Sequence, residues 1–258
     1  MKIKYWFIFL ILIVFSSILF INTSCDKSEE LSLENGFIEN FDGNSINDSI
    51  WHVATWTEHG GKTGTERCYA SDGYLNMVFI NDPNNGYLSS AIQTRKEFSY
   101  GRWEARLKPP KEAGVCASFY TIDWDDISTP ASSSDGTKEE IDIEFLTFAF
   151  GANTGKVHFA VHKSGSTSFD TNPDVDLNFN PSDDFHIWGF EITPNHIEWF
   201  VDNQVLLTYN YTESNINISS NYQLKLNLWS STNWVNGPPT ANVECLYQID
   251  WIKFTPLN

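Results

Sequence analysis

The sequence predicts an all-β protein, a β-sandwich folded as a single domain, and three observations support this class. Apolar residues recur mainly at every second position, the candidate strands are short, and Gly, Pro, Asn and Asp separate them at regular intervals. No long stretch of the chain outside its first residues carries the apolar stripe of an amphipathic helix. Many short, evenly spaced strands are typical of a sandwich or a barrel.

Ten segments have the composition and alternation of strands. The alternation is strict in Arg102-Trp103-Glu104-Ala105-Arg106-Leu107. Asp202-Asn203 lies between two such segments and predicts a two-residue hairpin turn. The predicted strands are 74–80, 87–94, 101–108, 115–121, 141–148, 156–163, 185–193, 196–201, 222–229 and 245–255.

The first 25 residues differ in composition from the rest of the chain. Lys2 and Lys4 precede an almost unbroken apolar run over residues 5–21, which is the pattern of an export signal. The run also reaches the short edge of what spans a bilayer, so a retained transmembrane anchor is the alternative. We therefore divide the chain into a signal at 1–25, a polar tether at 26–35 and one domain at 36–258.

The end of this signal, Asn22-Thr23-Ser24-Cys25, resembles a bacterial lipoprotein signal, in which the cysteine carries the lipid. Asn22 stands where that signal usually carries Leu. The acidic stretch after Cys25 resembles the surface-export tag of some two-membrane bacteria. The resemblance implies lipidation at Cys25 and a place in the cell envelope, at the outer membrane or cell surface.

Charge and composition narrow the class of partner. The net charge is −17, with 16 Lys and Arg against 33 Asp and Glu, so a nucleic-acid surface built from clustered cations is not expected. The same negative net charge disfavours the binding of sulfated glycans, which would need Arg and Lys along the cleft. The 10 Trp, 10 Tyr and 19 Phe suit stacking on neutral sugar rings instead.

Three cysteines follow the signal: Cys68, Cys116 and Cys245. An odd number cannot pair completely within the chain, so one disulfide with one thiol and three buried thiols are both open. None has the spacing of a zinc site, and we assign them no chemistry.

The chemistry is concentrated in one segment, Glu140-Ile141-Asp142-Ile143-Glu144-Phe145. Alternation places the three acids on one face and the three apolar residues on the other. Acids are poor strand formers, so three of them opposite an apolar face indicate more than a solvated strand. Glu140 and Glu144 lie about 13 Å apart at Cα, and inward-leaning side chains can approach the ~5–5.5 Å that a retaining glycosidase needs. Crowded carboxylates also raise the pKa of one member.

Residues 138–146 resemble the active-site strand of glycoside hydrolase family 16, and similar matches extend over about 37–255. They include Ser99 to Arg106 with Lys108-Pro109, Asp184-Phe185-His186, Ile197 to Asp202, Asn227-Leu228-Trp229 and Gln248 to Trp251. The resemblance implies a concanavalin A-like β-jelly roll. It also implies that Glu140 is the nucleophile, that Glu144 is the acid/base and that Asp142 tunes the nucleophile.

The spacing within this strand separates subgroups of the family. One residue lies between Asp142 and Glu144, as in lichenase-like and xyloglucan-active members, whereas most laminarinases, agarases and carrageenases carry an extra residue. The resemblance therefore implies an endo-β-glucanase that acts on mixed β-1,3/β-1,4-glucan. Thr137-Lys138-Glu139 replaces a Trp of lichenases, and His162 stands where β-1,3-glucanases often have His, so β-1,3-glucan is the other candidate.

The resemblance also suggests a set of substrate-binding residues. Trp229 and Trp234 are candidate sugar platforms, and Trp124 is a candidate replacement for the missing ring; a lone aromatic in a sandwich equally fits core packing. The set is completed by Phe119, His162 and Asn227. Asp250 resembles a ligand of a structural calcium ion, which takes 6–8 oxygens. We expect no cofactor requirement for catalysis and a monomer.

Other functional classes remain open. A transglycosylase would keep every catalytic residue and differ in whether sugar or water reaches the intermediate. Hydrolysis of xyloglucan or an agar-type galactan is a further alternative. A non-catalytic carbohydrate-binding lipoprotein would not need the Glu140/Glu144 pair, and a purely structural lipoprotein leaves that strand unexplained.

Overall fold

The computed structural model describes residues 36–123, 139–163, 174–211 and 221–257. Two short 3-10 turns, Thr65–Arg67 and Thr147–Ala149, are the named helical segments of these ranges, and none of their helices has the length and hydropathy to cross a bilayer. The strands are β1 Phe37–Glu39, β2 Trp51–Val53, β3 Thr57–Glu58, β4 Gly61–Lys62, β5 Cys68–Ser71, β6 Tyr74–Asp82, β7 Gly86–Leu88, β8 Ser90–Thr94, β9 Gly101–Lys108, β10 Cys116–Ile122, β11 Glu139–Leu146, β12 Gly155–Lys163, β13 Asp174–Leu177, β14 His186–Ile192, β15 His196–Val201, β16 Gln204–Asn210, β17 Gln223–Trp229 and β18 Glu244–Pro256.

These strands form two sheets. The larger sheet has 11 strands in the order β16-β15-β14-β9-β18-β6-β7-β4-β3, with β1 beside β18 and β5 beside β6. The smaller sheet has 7 strands in the order β13-β12-β11-β10-β17-β8-β2. Each described strand pairing is antiparallel except the short contact between β4 and β7. The all-β sandwich predicted from the period of two is confirmed.

Aromatic side chains from both sheets fill the space between them. Phe145 on β11 meets Trp188 on β14 edge-on at 4.9 Å, and Phe159 on β12 stacks on Trp199 of β15 at 5.5 Å. The indole Nε1 of Trp199 donates a hydrogen bond to the backbone oxygen of Asp142 at 3.0 Å. Burial of these rings is the main stabilising contribution, and the Trp199 bond ties the larger sheet to β11.

Alternation along β11 decides what this strand presents to each side. Ile141, Ile143 and Phe145 are fully buried in the core between the sheets. Glu140, Asp142 and Glu144 therefore lie on the opposite face of the smaller sheet. We call this face of the smaller sheet, with the loops that border it, the cleft face.

Each predicted strand overlaps an observed one. Segments 101–108 and 196–201 have the bounds of β9 and β15, and the hairpin turn is confirmed by positive φ angles at Asp202 (46°) and Asn203 (65°). Segment 87–94 instead divides at Ser89, because the chain leaves the larger sheet after β7 and enters the smaller one at β8. The strands that the sequence missed are β1 to β5, β13 and β16, most of them short.

The three described cysteines are buried and free of disulfide bonds. Of the two arrangements that the sequence left open, the structure has three buried thiols.

Candidate active site

The floor of the cleft face is set by the register of three strands. Glu140 lies opposite Ile122 of β10 and His162 of β12, and Glu144 lies opposite Ser118 and His158. The register runs along β11 without a shift on either side. An unbulged strand keeps the three acids on one face at positions i, i+2 and i+4.

The Glu140 end of the row carries a histidine. Nε2 of His162 lies 3.3 Å from Oδ2 of Asp142, and the histidine side chain is 44% exposed. Asp142 itself is buried between Glu140 and Glu144. A histidine at this distance can hydrogen-bond the aspartate and fix the orientation of the middle carboxyl group.

A metal ion is the other use of such a group. Within the described part of the chain, Glu140, Asp142 and His162 form the one set of His, Cys, Asp or Glu side chains whose ligand atoms all lie within 4.8 Å of one another. The contact between His162 and Asp142 accounts for this proximity without an ion, and Glu140 is the predicted nucleophile.

The Glu144 end is more enclosed. The Cys116 thiol donates a hydrogen bond to Oε1 of Glu144 at 3.3 Å, and the Trp234 indole N–H also donates to this carboxyl group. Burial raises the pKa of Glu144, and the charge of Glu140 raises it further. His158, Cys116 and Trp234 act in the opposite direction without cancelling the effect. Glu144 is thus suited to hold a proton at a pH where an ordinary glutamate is ionised.

His158 is held in place from two sides. Its Nδ1 lies 3.0 Å from Oδ1 of Asp174 on β13, and its ring meets Trp234 edge-on at 4.9 Å. His158 is buried and lies directly opposite Glu144. It therefore forms one wall of the Glu144 environment, with Asp174 fixing its ring orientation.

A second polar cluster lies two strands away on the same face. Nζ of Lys225 lies 3.0 Å from Oε1 of Glu58, and both side chains are more than nine-tenths buried. Trp56 Nε1 donates to Glu58 at 2.8 Å, and Asn227 Nδ2 donates to it at 3.2 Å. Burial alone would raise the pKa of Glu58, but Lys225 and these donors lower it below its ordinary value. We call Glu58, Lys225, Asn227 and Trp56 the Glu58 cluster.

Three of the predicted binding residues line the cleft face. Trp234 is 38% exposed and adjoins Glu144, and His162 adjoins Asp142. Asn227 is buried at the floor, where Nδ2 also donates to the Tyr120 hydroxyl at 3.2 Å. Its Oδ1 is buried and has no hydrogen-bond partner among the described residues, on a strand that β10 separates from β11.

Two of the predicted binding residues need correction. Phe119 lies opposite Ile143 on the core side of β10, is fully buried and packs 5.4 Å from Phe190 of the larger sheet. The prediction that it contacts sugar was wrong, because alternation turns it away from the cleft face. Trp229 does lie on that face but is 9% exposed, and the His59 imidazole stacks on its indole at 4.0 Å. The outer ring of this pair is the exposed His59, so Trp229 is not an open platform.

Three further residues were predicted to have a role. Cys25 and Trp124 fall outside the described residues. Asp250 lies on β18 of the larger sheet, where its Oδ2 is 2.5 Å from Nη1 of Arg106. The positive charge of a guanidinium at this distance repels a cation, so the surroundings of Asp250 do not fit a calcium ion. The calcium site that the sequence suggested here stays a prediction.

Sequence reasoning missed Glu58, Lys225, His158 and the contact of Cys116 with Glu144. Lys225 could have been found from the sequence, because Lys225 and Asn227 lie two positions apart in a predicted strand and therefore share one face. His158 and Cys116 depend on the cross-strand register, and Glu58 lies on the two-residue strand β3. No local pattern specifies such pairings.

Known proteins share this sequence pattern and this fold. The model of the family "Glycosyl hydrolases family 16" matches residues 62–253. A β-glucanase from Paenibacillus macerans is 30% identical over 221 residues, which are 81% of this chain and 84% of that protein.

Solved structures show the same fold. A prokaryotic β-1,3-1,4-glucanase (lichenase) derived from a mouse hindgut metagenome gives a TM-score of 0.71 at 26% identity, over 86% of this chain and 100% of that one. The laminarinase catalytic domain from Thermotoga maritima gives a TM-score of 0.70 at 23% identity, over 87% of this chain and 100% of that one. The sandwich is thus the jelly roll of these enzymes. The family match over most of the sheet-forming residues shows that the chain belongs to glycosyl hydrolase family 16 and is an O-glycosyl hydrolase.

Proposed function

We propose that the protein is an endo-acting, retaining glycosidase that cleaves β-glucans through a covalent glycosyl-enzyme. The observation that carries this proposal is the unbulged β11, on which Glu140 and Glu144 share one face and on which burial and the charge of Glu140 raise the pKa of Glu144. A retaining mechanism needs one ionised and one protonated carboxyl group on the same cleft.

In the first step Glu140 attacks the anomeric carbon as a carboxylate. The bond from that carbon to the glycosidic oxygen breaks, and Glu144 transfers its proton to the departing oxygen. The products are an ester between the sugar and Glu140, a free sugar hydroxyl on the leaving chain and an ionised Glu144.

In the second step water replaces the ester. Glu144, now a carboxylate, takes a proton from water as the water oxygen bonds to the anomeric carbon, and the bond to Glu140 breaks. Both carboxyl groups return to their starting states, and the anomeric configuration is retained.

Asp142 and His162 support the nucleophile rather than react. The buried carboxyl group of Asp142 lies beside Glu140 on the strand, and His162 lies 3.3 Å from it. A hydrogen-bonded partner of this kind restricts the side chains near the nucleophile and keeps its attacking oxygen oriented.

The proposed substrate is a glucan with mixed β-1,3 and β-1,4 linkages. The single residue between Asp142 and Glu144 favours it, and the relatives described as β-glucanases and lichenase agree with it. His162 favours a β-1,3-glucan instead, because it takes the position where laminarinase-type members often have His. Trp234, which is 38% exposed, is the described group that we expect to meet the sugar, and Asn227 stays a predicted binding residue.

The test is oligosaccharide release by residues 26–258 from mixed-linkage β-glucan, laminarin, xyloglucan and agarose. We expect release from mixed-linkage glucan, and loss of release in Glu140→Gln and in Glu144→Gln. Glu191→Gln, on the larger sheet, is the matched control and should keep full activity.

The outcomes separate the alternatives. Preference for laminarin would make His162 the better guide to the substrate, and release from xyloglucan or agarose alone would overturn the β-glucan proposal. Longer products in the presence of acceptor oligosaccharides would indicate transglycosylation. Release from none of the four polymers would favour a carbohydrate-binding protein.

We also propose that the enzyme is anchored in the cell envelope by lipid on Cys25. The pattern of residues 1–30 supports this, and the acidic tether would hold the domain away from the membrane. Membrane fractionation tests it: the full chain should partition with membranes and Cys25→Ser should not. Equal partitioning of both chains would contradict lipidation and favour a retained transmembrane segment.

A further inference from the structure

Cys116 occupies an unusual place for a cysteine. It begins β10 on the cleft face, is fully buried, and its Sγ lies 3.3 Å from Oε1 of Glu144 and 3.5 Å from Oγ of Ser118. Its apolar surroundings are Leu146, Trp229 and Val235, a small cluster separate from the main core. These three side chains fix the sulfur on the side of Glu144, so the contact does not depend on a mobile rotamer.

The thiol acts as a donor throughout the working pH range. Burial raises the pKa of Cys116 well above its ordinary value, and the negative charge of Glu144 raises it further. The sulfur therefore keeps its proton while Glu144 alternates between acid and carboxylate. Since a thiol is a weak donor, it stabilises the carboxylate modestly and leaves Glu144 able to take up a proton.

Other groups face Glu144 from each packed element. Glu140 and Asp142 lie on its own strand, His158 faces it from β12 with Asp174 behind, and Trp234 donates from the loop after β17. β10 supplies Cys116 and, directly opposite Glu144, Ser118, whose Oγ lies 3.5 Å from Sγ of Cys116. Of the side chains with a hydrogen bond to Glu144, Cys116 can be exchanged for a residue of similar size without altering a charge or an aromatic ring.

We propose that Cys116 is a positioning residue for the acid/base. Its S–H holds Oε1 of Glu144 and sets the pH range over which Glu144 carries the proton that the leaving oxygen needs. This inference rests on the proposed function, because it assigns a role to Glu144 in glycoside cleavage. Cys116 does not contact the substrate and acts only through its hydrogen bond to Glu144.

The test is the pH profile of kcat/KM for the wild type, Cys116→Val and Cys116→Ser. The alkaline limb reports the acid of the free enzyme. Val removes the donor, so this limb should move up by about half a pH unit, whereas the stronger hydroxyl donor of Ser should move it down by a similar amount. The alkaline limb should therefore lie at the highest pH for Val, at an intermediate pH for Cys and at the lowest pH for Ser. A side chain that only fills space would not produce this order.

Cys68→Val is the matched control, because Cys68 is a buried thiol on β5 of the larger sheet. It should leave the alkaline limb unmoved, even if it lowers the thermal midpoint. Limbs that coincide in the wild type, Cys116→Val and Cys116→Ser would overturn the inference and leave the proposed function standing. If Cys116→Val does not fold, Cys116→Ser alone still tests the direction.

A second readout requires no substrate. Carbon NMR of glutamate carboxyl groups, with Glu144 assigned by its absence in Glu144→Gln, follows the titration of that residue directly. The midpoint should rise in Cys116→Val and fall in Cys116→Ser. Unchanged midpoints would refute the inference even if no glucan is cleaved, so this result is distinguishable from failure of the proposed function.

Discussion

Glu144 lies on the cleft face and Glu58 reaches that face through Lys225, and the two glutamates have opposite electrostatic settings. Both are enclosed, and burial alone would raise the pKa of each. Lys225 lies 3.0 Å from Glu58 and reverses the direction, whereas Glu144 has the Cys116 thiol, an indole N–H and a histidine around it, and its pKa stays raised. The presence of a buried ammonium group decides between a permanent anion and a proton carrier.

Glu58 and Glu144 are suited to different chemical roles. A permanent anion with satisfied donors can shape a sugar subsite but cannot supply a proton at neutral pH. A carboxyl group with a raised pKa can supply the proton, and the cost is the free energy of ionising it in an enclosed place. We therefore expect a division of roles, with Glu144 as the proton carrier and Glu58 as a permanent anion.

The largest difference between variants of Glu144 and of Glu58 should be in catalytic activity. Replacing Glu144 by Gln removes the proton donor, so kcat on mixed-linkage glucan should fall by about 10²- to 10⁴-fold. Glu58→Gln should change KM more than kcat, because Glu58 does not reach the reacting bond in this account. Steady-state kinetics of both variants gives the answer, and a similar loss of kcat in the two would contradict the division.

For the free energy of unfolding, the large effect is instead expected in the Glu58 cluster. Lys225→Met leaves Glu58 buried without its ammonium partner and should cost about 3–5 kcal/mol of unfolding free energy. Adding Glu58→Gln to that variant should recover most of the loss, since the uncompensated charge is gone. Urea unfolding of the single and double variants measures this. A double variant as unstable as Lys225→Met would show that packing, not charge, governs the cluster.

The pH dependence of stability should have opposite signs. Glu58 has a folded-state pKa below the unfolded one, so its contribution is present above the ordinary value of 4.5 and is lost as pH falls through the folded value. Glu144 has a raised folded-state pKa, so it favours the fold below 4.5 and loses that contribution as pH rises through the folded value.

Glu144→Gln should therefore stabilise the protein at pH 8, by about 1 kcal/mol, and bring little change at pH 4. Glu58→Gln should destabilise it at pH 8 and have a smaller effect at acid pH. Thermal midpoints at both pH values give the comparison. A lower midpoint for Glu144→Gln at pH 8 would contradict the raised pKa.

The smallest effect is expected at Asp250. Its ion pair with Arg106 is partly exposed, so Asp250→Asn should cost less than about 1 kcal/mol. The guanidinium leads us to expect that EDTA will not change the thermal midpoint. A midpoint that rises with added calcium in the wild type but not in Asp250→Asn would show that a calcium site exists there.

How far the sequence predicts this molecule depends on whether a feature is local. The alternation in residues 140–145 predicts which face of β11 is acidic, because side-chain direction in a strand has a period of two. The same rule would have placed Phe119 in the core, had its register with Ile143 been known. Resemblance of a motif outweighed alternation at that position and produced the error.

The environment of Glu144 was not predictable in this way. Cys116 and His158 reach it from strands that are 28 and 14 positions away along the chain, and Trp234 reaches it from a loop. The Glu58 cluster joins residues separated by 167 positions. Such contacts follow from strand order and register, which a single sequence specifies only through the packing of the whole sandwich.

The most direct test of the central claim uses azide as a small external nucleophile. With an aryl β-glucan oligosaccharide that has an activated leaving group, Glu144→Ala should still form the ester on Glu140, and azide should restore turnover and yield a β-glycosyl azide. Glu140→Ala should yield an α-glycosyl azide, because azide then attacks from the side of the missing carboxylate. Proton NMR of the products distinguishes the two. A β-azide from Glu140→Ala, or an α-azide from Glu144→Ala, would contradict the roles assigned to the two glutamates.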